Sequence, residues 1–209
     1  MNFTQFKIQF QENPVIVSRE VTRDSKDPQL LRNQLYRWQR RGLLIGLRKG
    51  VYLLNETDRK VNVDRNFVAN ILYGPSYLSL EYALYFYGLI PEVVSDFTSV
   101  TTRKTMRFKN ALGNFIYQHI DSKGFRGFQR KADGKNSFFV AEPEKAVVDF
   151  LYLNLSRFKK NTRDVLEHSY RFQNIEELNQ GRLKELGKLF TNKKLSRVIK
   201  DLCQWIDES

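Results

Sequence analysis

Asp27-Pro28-Gln29-Leu30-Leu31-Arg32-Asn33-Gln34-Leu35-Tyr36-Arg37-Trp38-Gln39-Arg40-Arg41-Gly42-Leu43-Leu44-Ile45-Gly46-Leu47-Arg48-Lys49-Gly50-Val51-Tyr52-Leu53-Leu54 carries its own start, stop and change of period. Asp27 suits the cap of a helix, and Pro28 suits the first turn, where a missing N–H is not needed. Leu31, Leu35 and Trp38 recur at i, i+4, i+7 and predict the buried stripe. Gly42 follows the last periodic residue and can take the left-handed conformation that ends a helix. The opposite face is then left with Arg32, Asn33, Tyr36, Arg37, Arg40 and Arg41. Six Arg or Lys and no Asp or Glu lie between Pro28 and Asn55. Such a cationic, hydrogen-bonding surface is what a DNA major groove accepts.

Past Gly42 the pattern changes. Two short apolar runs flank Arg48-Lys49-Gly50, a link whose length and glycine suit a β-hairpin with Arg48 and Lys49 at its tip. Upstream, Asn2 and Gln5 stand at capping-box spacing, and Phe3, Phe6 and Phe10 form an apolar stripe reaching Gln11. Pro14 ends that helix, Val15-Ile16-Val17 reads as a short strand, and Ser18 can cap a brief helix to about Asp24. The plan that results is a winged helix-turn-helix over residues 1–60. Set beside it is the plainer reading of a solvated basic helix packed on an ordinary hairpin. Charge, caps, Gly42 and hairpin agree on one structure, which favours DNA binding.

The whole chain of 209 residues is 41% hydrophobic and 13% aromatic, enough for a sizeable core. Its formal net charge is +12, and half of that excess falls within residues 1–63. A basic balance favours polyanions, but charge alone does not separate DNA, RNA and an acidic protein. Cys203 is the single cysteine, so an intramolecular disulfide is excluded and a reducing compartment is expected. Residues 1–20 lack the long apolar run of a signal peptide, and no segment approaches a membrane span. The expectation is a cytoplasmic protein with no membrane partner.

Asn55 to Val63 is polar and poorly periodic and reads as a linker. Beyond it, residues 64–209 predict a larger mixed α+β domain whose final third is helical, which makes the fold class α+β. Phe67, Ile71 and Leu72 suggest a helix stopped by Gly74-Pro75. Ser79 suits the cap of another, with Ala83, Leu84 and Phe86 on its apolar side and Gly88 at its end. Phe97 to Thr102, Met106 to Phe108, Phe115 to Ile120 and Ser137 to Ala141 read as strands. Pro143 opens a helix burying Ala146, Val147, Phe150 and Leu151. Further helices are expected over 162–172, 175–190 and 192–207.

Several of these segments resemble a known family. Gly42 to Tyr52 is similar to the wing of AbiEi-type antitoxins. Tyr77-Leu78-Ser79-Leu80-Glu81-Tyr82-Ala83-Leu84 with Tyr87-Gly88-Leu89-Ile90-Pro91 resembles the opening of their second domain. Thr98-Ser99-Val100-Thr101-Thr102 and Ala141-Glu142-Pro143-Glu144-Lys145-Ala146 with Asp149 resemble later parts of it. The likeness runs from about residue 15 to 155. It implies a type IV toxin–antitoxin, or abortive-infection, antitoxin that represses its own operon through the amino-terminal winged helix. It also implies that the carboxy-terminal domain counteracts a nucleotidyltransferase toxin without a stable complex. Inverted repeats in the operator would imply two copies bound, with dimerisation on DNA.

The same segments have a plainer physical reading, which is favoured for two of them. Glu142 and Glu144 place carboxylates at a helix start, and Lys145 and Asp149 stand at i,i+4. Ser79 with Glu81 reads as a cap and a first-turn acid. Arg103, Lys104, Arg107 and Lys109 are sharper candidates: residues 101–135 hold nine Arg or Lys against two Asp or Glu. This second patch can contact phosphate on DNA or RNA, or serve antitoxicity; a merely solvated loop is an equal alternative. In the last helix, Leu195, Val198, Ile199, Leu202, Trp205 and Ile206 form a stripe, with Lys193, Lys194, Arg197 and Lys200 on another side. A core helix with a wet face is the favoured reading, and a docking surface the other.

Catalytic motifs are not found. His119 and His168 stand far apart, and Cys203 alone makes no zinc set. Neither a Gly-Lys-Ser/Thr phosphate loop nor a GxGxxG occurs. Glu142-Pro143-Glu144-Lys145 only approximates a nuclease order, and its proline argues against the strand that order needs. The expectation is a non-enzymatic protein without metal or cofactor. The other classes kept open are an RNA- or toxin-binding interaction protein and, less favoured, a nuclease-like enzyme.

Overall fold

A computed structural model describes residues 2–23, 25–134, 136–158 and 161–208. The protein is mixed α+β. Helix α1 (Phe3–Phe10) begins with a complete capping box: Asn2 Oδ1 accepts from the Gln5 backbone N–H at 2.9 Å, and Gln5 Oε1 accepts from the Asn2 N–H at 3.2 Å. Strand β1 (Ile16–Val17) and helix α2 (Ser18–Val21) follow. Ser18 lies inside α2 and its side chain caps nothing; the expected extension to Asp24 reaches a residue outside those described. Helix α3 (Pro28–Arg40) has its cap on Asp27, whose Oδ1 accepts from the Leu30 N–H at 2.9 Å. Gly42 stands at φ +72°, the left-handed turn that lets the chain reverse out of α3.

Strands β2 (Leu44–Arg48) and β3 (Val51–Leu54) form an antiparallel hairpin, and β1 joins β3's other edge to give a three-stranded sheet. Arg48 pairs with Val51, so only Lys49 and Gly50 make the turn, with Gly50 at φ +82°. Arg48 is thus a strand residue rather than part of the tip.

All four residues of β3 are buried, and the alternation of a strand sends them to two different cores. Leu44, Tyr52 and Leu54 pack with Phe6, Ile16, Leu35 and Trp38 under α1 and α3. Leu47, Val51 and Leu53 belong instead to the large core of the rest of the chain. A continuous apolar run is what burial on both faces requires. The hairpin is therefore a wall shared by two hydrophobic clusters. The segment after it carries no regular element but is tied back onto α1. Lys7 Nζ pairs with Asp58 Oδ1 at 2.8 Å, and the Lys60 N–H donates to the Gln11 carbonyl at 2.7 Å.

The larger core is built on a six-stranded sheet. Its strands are β4 (Ser76–Leu78), β5 (Phe97–Thr101), β6 (Met106–Asn110), β7 (Gly113–His119), β8 (Phe128–Asp133) and β9 (Asn136–Ala141), in the order β6-β7-β5-β4-β9-β8. β4 and β8 were not anticipated from sequence. Helix α4 (Arg65–Leu72) packs on β4 and β9. Helices α5 (Leu80–Phe86) and α6 (Pro143–Leu153) pack on each other and bury Ala83, Leu84, Ala146, Val147, Phe150 and Leu151. Phe86, expected on the buried side of α5, is 42% exposed.

The carboxy-terminal part is less regularly helical than expected. Over 162–172 there is a short helix α7 (Thr162–Asp164) and then a π-helical turn, Val165–Ser169. The single helix expected over 175–190 is instead a 3-10 turn, Ile175–Glu177, and helix α8 (Gln180–Lys188). The break lies at Asn179, whose side chain caps α8. Helix α9 (Lys193–Asp207) buries Leu195, Val198, Ile199, Leu202 and Trp205, as its stripe predicted. Among the described residues no helix is long and apolar enough to cross a membrane.

Candidate nucleic-acid interface

Burial of Leu31, Leu35 and Trp38 fixes the rotation of α3 and so decides what it shows to solvent. Arg32, Asn33, Tyr36, Arg37, Arg40 and Arg41 are all exposed, Tyr36 by 57%. Two of them are tied to a neighbour on the helix: Gln29 Nε2 donates to Asn33 Oδ1 at 3.1 Å, and Arg32 Nη1 donates to Gln29 Oε1 at 3.3 Å. No carboxylate among the described residues pairs with Arg32, Arg37, Arg40 or Arg41. The face is thus a set of unneutralised donors on a rigid support, with a ring among them.

At the hairpin, Lys49 is exposed at the turn and Arg48 is half-buried. Arg48 Nη1 donates to the Lys49 carbonyl at 3.2 Å, while its Nε is buried with no hydrogen-bond partner among the described residues. The cause is non-local: the β2 edge packs against β6, and Asn110 Nδ2 donates to the Leu47 carbonyl at 3.2 Å. Burial raises the Tyr117 phenol's pKa, and the Arg48 charge opposes the rise.

The second basic group is divided. Arg103 and Lys104 leave β5 together. Arg103 lies over the Tyr73 ring at 4.3 Å and donates to the Gly74 carbonyl at 3.2 Å, and the Tyr73 hydroxyl donates to the Lys104 carbonyl at 3.1 Å. Arg107 and Lys109 belong to β6, where Phe108 between them packs on Tyr73 and Tyr117. Alternation turns the two cations to the other face of the sheet. There Arg107 lines a cavity of about 540 Å³ with Glu81, Asp96 and Gln118. His119 Nδ1 lies 3.0 Å from the Arg103 carbonyl, and His168 is exposed beside Asp164 at 3.3 Å.

The i,i+4 pairing expected of Lys145 and Asp149 is present, and it belongs to a polar network inside the larger core that also takes in Tyr77 and Ser79. Lys145 Nζ pairs with Asp149 Oδ1, and Asp149 Oδ2 accepts from the Tyr77 hydroxyl at 2.8 Å and the Ser79 hydroxyl at 2.9 Å. Ser79 occupies the cap position of α5, but its hydroxyl makes no cap bond and is spent on Asp149. Burial pushes the Asp149 carboxyl up and the Lys145 ammonium down, and each charge opposes the other's shift. Two hydroxyl donors and an ammonium around one carboxylate favour the ionised pair. Glu142 and Glu144 are both engaged within the protein. Glu142 is held by Arg182 through two bonds, 2.8 and 3.0 Å, and Glu144 Oε1 accepts from the Asn179 N–H at 2.9 Å, which ties the start of α6 to the start of α8.

No protein-family model matches the chain, and no curated protein matches it.

Proposed function

We propose that residues 1–60 act as a winged helix-turn-helix that binds operator DNA, and that the chain is a cytoplasmic, non-enzymatic antitoxin of the AbiEi type. In this reading α3 enters the major groove. Arg32, Asn33, Tyr36, Arg37, Arg40 and Arg41 meet base edges and phosphates, and Lys49 at the hairpin tip meets the backbone beside it. Residues 64–209 counteract a nucleotidyltransferase toxin. One observation carries the DNA reading: the face of α3 opposite Leu31, Leu35 and Trp38 is exposed, cationic and unneutralised by any described carboxylate. The antitoxin role rests on the resemblance of the quoted segments. Two of these, around Tyr77 and around Lys145, meet in one buried network.

The test is a binding titration with a duplex from the protein's own upstream region and a scrambled duplex. Six phosphate contacts would weaken binding about 10³-fold between 50 and 200 mM salt. Preference for the operator duplex with that salt dependence supports the reading. Equal binding to both duplexes, with tight binding to a purified toxin, supports an interaction protein instead.

A further inference from the structure

We infer that α3 divides its DNA surface in two: the linked side chains of Gln29, Asn33 and Arg32 read base edges, while Arg37, Arg40 and Arg41 clamp the sugar–phosphate backbone where α1 begins. This division rests on the DNA-binding reading above. It gives separate work to residues which that reading takes together, and it adds Gln29 as the residue that positions the readers.

The two groups are held differently. Gln29 stands one turn before Asn33, and its Nε2 donates to Asn33 Oδ1 at 3.1 Å. Its Oε1 accepts from Arg32 Nη1 at 3.3 Å. All three residues are exposed, so these bonds order side chains that face solvent rather than a core. Asn33 and Arg32 are thus oriented before any ligand arrives, which lowers the ordering cost of binding. An amide oxygen accepts two hydrogen bonds. Asn33 can therefore keep Gln29 and still offer Oδ1 and Nδ2 together, the pair that matches N6 and N7 of adenine. Arg32 keeps its remaining donors, which suit guanine O6 and N7.

Arg37, Arg40 and Arg41 make no side-chain bond among the described residues, and no described carboxylate pairs with them. Their spacing of three and four residues makes them neighbours on the helix. They line one groove of about 590 Å³ together with Trp38 and with Asn2 and Phe3 at the start of α1, and no acidic residue lines it. Like charges so placed repel one another, and an anion between them relieves the repulsion. A duplex supplies that anion as phosphate along the edges of its major groove. The order along α3 agrees: Gln29, Arg32 and Asn33 lie in its first half, and the three arginines lie at its end beside α1. A reading helix sets its amino-terminal residues on the bases while the first helix crosses the backbone.

The experiment uses the full chain, a duplex from the protein's own upstream region and a scrambled duplex. It also uses copies of the upstream duplex in which single adenines are replaced by an analogue lacking N7. Salt titrations are run for the wild type, Asn33→Ala, Gln29→Ala, Arg37→Ala and the Arg37→Ala/Arg40→Ala/Arg41→Ala variant. Asn33→Ala is expected to lose about tenfold or more of the preference for the upstream duplex, to keep the wild-type salt slope, and to lose the wild type's response to the analogue at one position. Gln29→Ala should lose part of the same preference with its thermal midpoint unchanged. The triple variant should lower the salt slope by about three units and keep the preference. Arg37→Ala alone should lower it by about one, which keeps the test valid if the triple variant is misfolded. An unchanged slope in both arginine variants overturns the division and leaves the DNA reading standing. So does full preference in Asn33→Ala or Gln29→Ala, or a loss of preference in the arginine variants as large as that in Asn33→Ala. A wild type that binds no duplex, or binds both alike, overturns the DNA reading and the division with it.

Discussion

The Tyr77 hydroxyl donates to Asp149 Oδ2 across 2.8 Å, joining a three-residue strand to a helix 72 residues further along the chain. Ser79 completes the set from the other end of the same segment. The network thus locks β4, the start of α5 and α6 into one arrangement, and every member is fully buried.

Removing one partner should be costly. Asp149→Ala leaves the Lys145 charge unpaired in the core, along with two unmatched hydroxyls, and should destabilise the protein by about 3–5 kcal/mol. Lys145→Met/Asp149→Leu removes both charges and should cost clearly less than the two single changes added together. Urea denaturation of the four proteins measures this; strict additivity would show that the two residues do not act as a pair.

The shared hairpin predicts joint unfolding. Val51→Asp puts an unpaired carboxylate between the two cores and should weaken both. Trp38 lies in the first cluster and Trp205 in the second, so single-tryptophan versions report each separately. Both fluorescence transitions should shift to lower denaturant together. A shift of the Trp205 signal alone would contradict the shared wall.

Truncation carries a related expectation. Residues 1–60 alone would expose Leu47, Val51 and Leu53, which the second unit covers in the full chain. Such a fragment should aggregate or show a broad thermal transition. Replacing the three residues by threonine should restore a soluble fragment, as dispersed amide resonances would reveal.

On α3 the expectation is opposite: function lost, fold kept. Arg37 and Arg40 are exposed, so alanine at either should change stability by no more than about 0.5 kcal/mol. Each should still reduce operator binding and, where it meets phosphate, lower the salt slope by about one unit. Thermal melts and binding titrations on the same preparations separate the two effects.

Cys203 supplies a pH test. Burial raises its thiol pKa, Lys184 nearby opposes the rise and Asp207 adds to it. The thiolate is the reactive form, so the native protein should resist a thiol reagent at pH 8 and release one equivalent on unfolding. The folded pKa lies above the unfolded one, near 8.5. The folded state therefore keeps its proton longer, and this group's contribution to stability is complete below that value and declines as pH rises through it. Rapid labelling of the native protein would contradict the burial.

The legible parts of this fold were the locally encoded ones. Asp27, Pro28, the 31-35-38 stripe and Gly42 define α3 within sixteen residues, and Asn2 with Gln5 define α1 within four. β4 was missed because three residues beside Pro75 leave no period to read, although that strand sits in the middle of the sheet. β8 was missed because Phe-Gln-Arg-Lys-Ala-Asp, an edge strand, shows little apolar alternation. Ser79 looked like a simple cap because its real partner is 70 residues away. The helix expected over 162–172 was overextended because a helical period also fits a π turn, and Arg171 and Asn174 then take positive φ. In the candidate interface, exposure on α3 followed from its stripe. The half-burial of Arg48 did not, because β6, against which its strand packs, lies far along the chain.

The two-sided hairpin also bears on how such a chain can diversify. Its inward residues answer to one interior and its outward ones to another, so recombination that imports a foreign head with its own hairpin would bring mismatched Leu47, Val51 and Leu53 equivalents against an unfamiliar surface. A viable chimera would have to carry over the receiving patch around Asn110 as well, which ties the inheritance of a new head to that of the body beneath it.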